Sequence, residues 1–204
     1  MNLKRLKEAE KEFLAKYPGG FGHPEMVEIG KKHKMDKMKQ LASERFAKAS
    51  FRDSVEITES MVRTITQSSM VSVFEKPRYR DVVRAMPPAR RTALAKGLKD
   101  QLHGNEQRGF EAQLGILAEN KLAKWTLMTA IPAYYRPDQE VFIKPTTTKK
   151  IISELELDLV YRATPSWEFY HEYRDIINEL KTRVSKTLSP SNPAFCGFLM
   201  FALE

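Results

Sequence analysis

Residues 86–104 read MPPARRTALAKGLKDQLHG, and this stretch decides the fold class. Pro87 and Pro88 supply a helix start, because a proline in the first turn lacks only an N–H that would have no intrahelical partner. Gly104 supplies the stop. Between them Leu94, Leu98 and Leu102 recur every fourth residue, an apolar stripe with the period of an α-helix and not the alternation of a strand.

The same grammar extends in both directions. Downstream, Asn105 caps a long helix running through Phe110, Leu114, Leu117, Leu122, Trp125 and Met128 to Pro132. Upstream, Asp53-Ser54-Val55-Glu56 has the form of a capping box and opens a helix that buries Ile57, Met61 and Ile65. Leu3, Leu6, Ala9 and Phe13 keep helical spacing until Tyr17-Pro18-Gly19-Gly20 interrupts it. A second helix starts at His23-Pro24 and keeps Met26, Met35, Met38, Leu41 and Phe46 on one side. Thr164-Pro165 opens the last long helix, with Trp167, Tyr170, Ile177, Leu180, Val184 and Leu188 inward. One section departs from this period. Glu140–Ile143 and Leu157–Tyr161 resemble two short strands, with Thr146 or Thr147 capping a short helix between them. The expectation is a mainly α, multi-helix bundle-like globular domain with a small two-stranded β element near 140–161. It divides into a basic helical half (1–104) and a C-terminal helical part with the β element and an apolar tail (105–204), or forms one single domain.

Charge points toward function. Lys and Arg total 34 against 26 Asp and Glu, a formal net charge of +8. Lys76, Arg78, Arg80, Arg84, Arg90, Arg91, Lys96 and Lys99 fall within 24 residues that hold a single acid, Asp81. Concentrated cations attract a polyanion and release its counterions on contact, and arginine recognises phosphate bidentately. A second cluster, Lys31, Lys32, Lys34, Lys37 and Lys39, meets only Asp36; on one helix it forms a charged rod, since its positions spread around the circumference. Tyr79, and the loop pair Tyr134-Tyr135 beside Arg136, offer stacking faces. These features favour a non-enzymatic nucleic-acid-associated protein of low sequence specificity. Arg78, Arg80, Arg84, Arg90 and Arg91 would contact phosphates, with Lys31, Lys32, Lys34 and Lys37 in support. Against this stands a solvated basic surface paired with acids from residues 151–204.

A second function comes from the tail. Ala194, Phe195, Phe198, Leu199, Met200, Phe201 and Leu203 are too apolar to hang in water and too few to span a bilayer. They should pack on the long helices or across a homo-oligomer interface. The alternative function is therefore a protein–protein adaptor or assembly subunit, whose basic half meets an acidic protein partner and whose tail completes the interface. The charged start at Met1–Lys7 reads as a helix and not a signal peptide, and the single Cys196, in an apolar run, fits a buried thiol in a reducing cytoplasm.

Catalytic patterns are weak. Asp138, Glu140 and Lys144 lack the spacing of a metal-dependent nuclease core, and Glu168-x-x-His171 is a half-motif without its second copy. No cofactor loop, paired Cys–His or metal-ligand spacing stands out, so no catalytic residue, metal or cofactor is assigned. Finally, Phe142-Ile143-Lys144-Pro145-Thr146, Thr148-Lys149-Lys150, Leu159-Val160-Tyr161-Arg162 and Pro165-Ser166-Trp167 with Tyr170 resemble a pattern in an uncharacterised bacterial protein family of unknown function, over about residues 125–188. The resemblance implies a bacterial protein and brings no activity.

Overall fold

The computed structural model describes residues 1–203, in which eleven α-helices and three short 3-10 turns follow one another without a strand. The helices are α1 (Leu3–Lys16), α2 (Pro24–His33), α3 (Met35–Arg45), α4 (Ser54–Gln67), α5 (Glu75–Ala85), α6 (Pro88–His103), α7 (Glu106–Ala118), α8 (Trp125–Tyr135), α9 (Pro145–Glu154), α10 (Trp167–Lys181) and α11 (Asn192–Ala202).

Two helices organise the packing. α4 touches α3, α5, α6 and α8 and is buried on most of its circumference through Ile57, Met61, Val62 and Ile65. α11 carries no charged side chain and is covered by α1, α9 and α10. Its Phe195, Phe198 and Leu199 are fully enclosed, and Phe198 meets Phe13 of α1 edge to face at 5.3 Å. The tail thus folds back onto the first helix, and one apolar core runs from Leu6 to Leu203.

Several local expectations hold, although of the Asp53–Glu56 capping box only the Asp53 half is formed, Glu56 pairing with Arg63 at 3.5 Å. Asp53 Oδ1 accepts from the amides of Val55 and Glu56 at 2.8 and 3.2 Å, and Asn105 Oδ1 accepts from Arg108 N at 2.8 Å. Leu94, Leu98 and Leu102 are buried as one stripe.

The small β element is not formed. Val141 and Ile143 are buried, but the Ile143 N–H donates to Thr129 Oγ1 of α8 at 3.0 Å instead of to a strand. Leu157 and Leu159 close a tight turn on each other, with Leu159 N donating to Leu157 O at 2.8 Å. Alternation in the sequence reported two irregular, partly buried segments. The short helix between them opens at Pro145 with Lys144 as its cap residue, not at a threonine.

The long helix from Asn105 to Pro132 is two. Residues 119–124 turn the chain, with Lys121 in the left-handed region at φ 57°, and α8 restarts at Trp125. Pro132 lies inside α8, whose last turn is kept by burial of Tyr134 and by the bond between its hydroxyl and Ser68 Oγ at 2.9 Å. The second helix is likewise split, by Lys34 at φ 51°, ψ 34°. An L-residue there costs roughly 1–2 kcal/mol, so only surrounding packing holds this break.

α6 and α7 form the closest hairpin. A Cβ on Gly109 would lie 2.6 Å from Gly97 O and closer still to the backbone nitrogen of Gln101, whereas a Cβ on Gly97 would first meet the Cγ of the buried Gln113 side chain at 2.8 Å, with backbone no nearer than 3.3 Å. Gly109→Ala is expected to destabilise the protein by about 3 kcal/mol or more, and Gly97→Ala by clearly less, in the range of ordinary overpacking. Urea unfolding of the two variants checks this. Equal costs would mean that the hairpin yields as a whole.

Candidate functional site

The two basic segments have different surroundings. In the arginine segment each arginine finds a partner, while Lys76, Lys96 and Lys99 enter no ion pair among the described residues. Arg84 and Arg91 share Glu59 of α4 at 3.0 and 3.1 Å, and Arg91 also donates to Thr58 Oγ1 at 2.8 Å. Arg90 pairs with Glu119 at 2.9 Å, Arg80 with its neighbour Asp81 at 2.7 Å, and Arg78 donates to the Asn120 carbonyl at 3.2 Å. The acids come from residues 59, 81 and 119, not from the acidic last quarter. Tyr79 lies in the core, 1% exposed, and burial alone pushes its phenol well up. It stacks on nothing outside. Tyr134 is buried as well, and Arg136 is drawn inward to Glu106 at 3.1 Å, so the expected aromatic loop is a buried helix end.

The lysine segment is less neutralised. Among the described residues Lys31 pairs with Glu28 at 2.6 Å, while Lys32, Lys34, Lys37 and Lys39 enter no ion pair. The break at Lys34 turns α3 away from α2 and sets Lys31, Lys34, Lys37 and Lys39 along the edge of a groove of about 660 Å³. Lys32 points elsewhere on the surface and does not line it. The opposite edge comes from α9 and α11. Lys144 stands at the α9 N-terminus, where no side chain caps the first turn, so the amides of that turn add positive potential to the lysines.

Between the edges the groove is apolar. Met26 and Met35 rise from α2 and α3, Met70 and Phe142 from connecting segments, and Met200 and Phe201 from α11. His33 Nδ1 and Ser69 Oγ, 3.1 Å apart, tie the end of α2 to the Met70 segment. The sequence named the lysine cluster and the tail as separate features; the fold brings them to one place. Cys196 borders the same groove, but burial pushes its thiol up to about 12, so it is neutral and a poor nucleophile at physiological pH.

A second constellation escaped the sequence entirely. Glu140, 4% exposed, accepts from the Tyr170 hydroxyl at 2.6 Å and from Arg174 Nη1 at 3.0 Å. Arg174 also donates to Glu106 at 3.0 Å and lies over the rings of Trp167 and Tyr170. Burial would lower the Arg174 guanidinium, but the hydrogen-bonded Glu140 outweighs it and holds the group above its ordinary value. Burial, then the Glu140 charge, raises the Tyr170 phenol. Two acids and two arginines balance, every partner is matched, and neither cavity opens on the cluster. It is a clamp between α7, α10 and the 136–140 segment. The only hint in the sequence was polar residues at inward positions of α10. The other depression, about 360 Å³, is edged by Asp158, Arg162, Glu168 and Glu172. Among the described residues no group of acids, histidines and cysteine converges as a metal site, and no helix is long and apolar enough to cross a membrane.

Comparison of the chain with protein-family models, with curated proteins and with solved structures gives no match in any of the three.

Replacing Arg174 by Met leaves the buried Glu140 with only the Tyr170 hydroxyl and the longer Arg136 contact at 3.8 Å. The expected cost is about 3–5 kcal/mol, read as a lower midpoint in chemical unfolding. Arg174→Met with Glu140→Gln should recover part of it. A single variant as stable as the parent would show that the clamp contributes nothing.

Proposed function

We propose that this protein is a non-enzymatic binding protein whose working site is the lysine-edged groove, and whose ligand is an amphipathic anion. One observation carries the reading: three lysines that enter no ion pair, Lys34, Lys37 and Lys39, line a large, mainly apolar depression. Such a site takes an apolar body on its floor and negative charge on its edge, in the size range of ordinary ligand pockets. It develops the adaptor reading of the sequence, since the basic half and the α11 tail both contribute. It leaves self-association through the tail only the partly exposed Met200–Phe201 edge.

The aromatic sulfonate 1-anilinonaphthalene-8-sulfonate tests the site, as an amphipathic anion with one charge. We expect saturable binding at one site per chain with a blue-shifted emission. Lys34→Glu with Lys37→Glu should weaken it about tenfold or more, a change of ~1.4 kcal/mol, while Lys96→Glu with Lys99→Glu on α6 leaves it unchanged. Circular dichroism must show both variants folded. Absence of binding, or equal loss in the two variants, would reject the groove as the site.

A second reading, contact with the phosphate backbone of nucleic acid at low sequence specificity, is supported by the exposed, unpaired Lys32, Lys34 and Lys37, and by ion pairs of Arg80, Arg84 and Arg90 that are weak enough to exchange for phosphate. Engagement of about four phosphates implies a log–log salt slope of about −3.6 for duplex DNA. Affinity that is flat in salt, or no binding at low salt, removes this reading.

A further inference from the structure

The groove reading leaves the class of ligand open, and the arrangement of charge narrows it. Lys31, Lys34, Lys37, Lys39 and Lys144 all face the groove, with Asp36 as the only opposing acid on its edge. A ligand with a single anionic head would neutralise one or two of them and leave the others repelling each other over a desolvated floor. Several negative charges, spread along the occupant, are needed to match the row. Lys34 to Lys39 lie along the start of α3, on the order of 7.5 Å at helical rise, about one and a half turns of a facing helix, and Lys31 precedes the break that separates α2 from α3.

The floor has matching properties. Four methionines, Met26, Met35, Met70 and Met200, line it. Unbranched thioethers adapt to irregular apolar partners and recur on surfaces that receive peptide helices. Phe201 and Val27, 42% and 40% exposed, both line the groove, so its apolar surface reaches the exterior and does not close over a small molecule.

Resting on the groove reading, we propose that the occupant is an acidic amphipathic helix of a partner protein. Its apolar anchors at i, i+3, i+4 and i+7 would lie on the methionine floor, and its carboxylates would face Lys31, Lys34, Lys37, Lys39 and Lys144.

The test uses the full chain and a fluorescein-labelled synthetic peptide of about 18 residues, long enough to hold helix, with Leu on the anchor stripe and Glu elsewhere. A twin carries Lys in place of Glu. By anisotropy the acidic peptide is expected to bind and to displace the aromatic sulfonate, and the basic twin should bind at least about a hundredfold more weakly. Lys34→Glu with Lys37→Glu should weaken the acidic peptide about tenfold and strengthen the basic twin. Phe201→Asn, a neutral polar change at an exposed position, should weaken the acidic peptide about tenfold without altering the charge preference. Oleate and duplex DNA serve as competitors. A peptide that fails to displace the sulfonate overturns the helix proposal and leaves the groove standing. Oleate displacing the sulfonate where the peptide does not assigns the groove to an acyl chain and also overturns it. Failure of the sulfonate itself to bind rejects the groove, and this proposal with it.

Discussion

An eleven-residue helix without a single charge, α11, is the constraint around which the structure is arranged. Its side chains must leave water, and three helices, α1, α9 and α10, are recruited to cover them. Burial of Phe195, Phe198 and Leu199 is worth roughly 1.5–3 kcal/mol each before conformational entropy opposes it. That driving force joins the two ends of the chain. It is also incomplete. The side of α11 bearing Met200 and Phe201 is left without a covering helix, and the groove is the consequence. The candidate site is therefore the part of the core-forming problem that the fold does not finish.

Charge completes the distinction between a gap and a site. Arginines of α5 and α6 pack beside α4 and the 119–120 turn, where Glu59, Glu119 and the Asn120 carbonyl lie within reach. Planar guanidinium groups with five donors settle readily on such acceptors. Of the lysines of α2 and α3, Lys31 meets Glu28, while Lys34, Lys37 and Lys39 line an apolar opening and enter no ion pair among the described residues. Mutual repulsion of unpaired lysines on one edge is a standing electrostatic cost, small in water and larger where an occupant excludes water. An anionic occupant relieves it, and a neutral one would worsen it. The two clusters therefore differ in kind: the arginines of the first are engaged by protein acceptors, and the lysines of the second, Lys31 apart, are not.

What was legible in the sequence follows from the range of each signal. Helix starts at Asp53 and Asn105 and the Leu94–Leu98–Leu102 stripe are local, fixed within one or two turns, and they hold. The apparent strands at 140–143 and 157–161 were misread because alternation records burial on one side, not the identity of the neighbour. Ile143 has a helix hydroxyl for its N–H, which no local pattern announces. The breaks at Lys34 and Lys121 are invisible for a related reason. Neither position carries glycine or asparagine, and tertiary packing imposes the left-handed backbone against local preference. The candidate site shares this division. Lysine cluster and apolar tail were each legible, but their juxtaposition depends on the Lys34 break and on α11 folding back, both long-range events.

The Glu140–Arg174 clamp explains why that juxtaposition can be stable. Residues 136–143 lead from α8 into α9 and carry Phe142, with Lys144 next to them, to the groove edge. With no regular secondary structure of their own, these residues need fixed points. Arg174 and Tyr170 hold Glu140 at one end, and Thr129 holds Ile143 at the other. Lys181 Nζ donates to the Asp138 carbonyl and Asn178 Nδ2 to the Gln139 carbonyl, at 2.6 and 2.9 Å. A buried charge pair is a weak source of net stability, yet its geometry is demanding, so a segment anchored by one has few alternative positions. The clamp thus fixes where Phe142 and Lys144 stand relative to α11, and the floor and edge of the groove inherit that precision from residues that never touch its occupant.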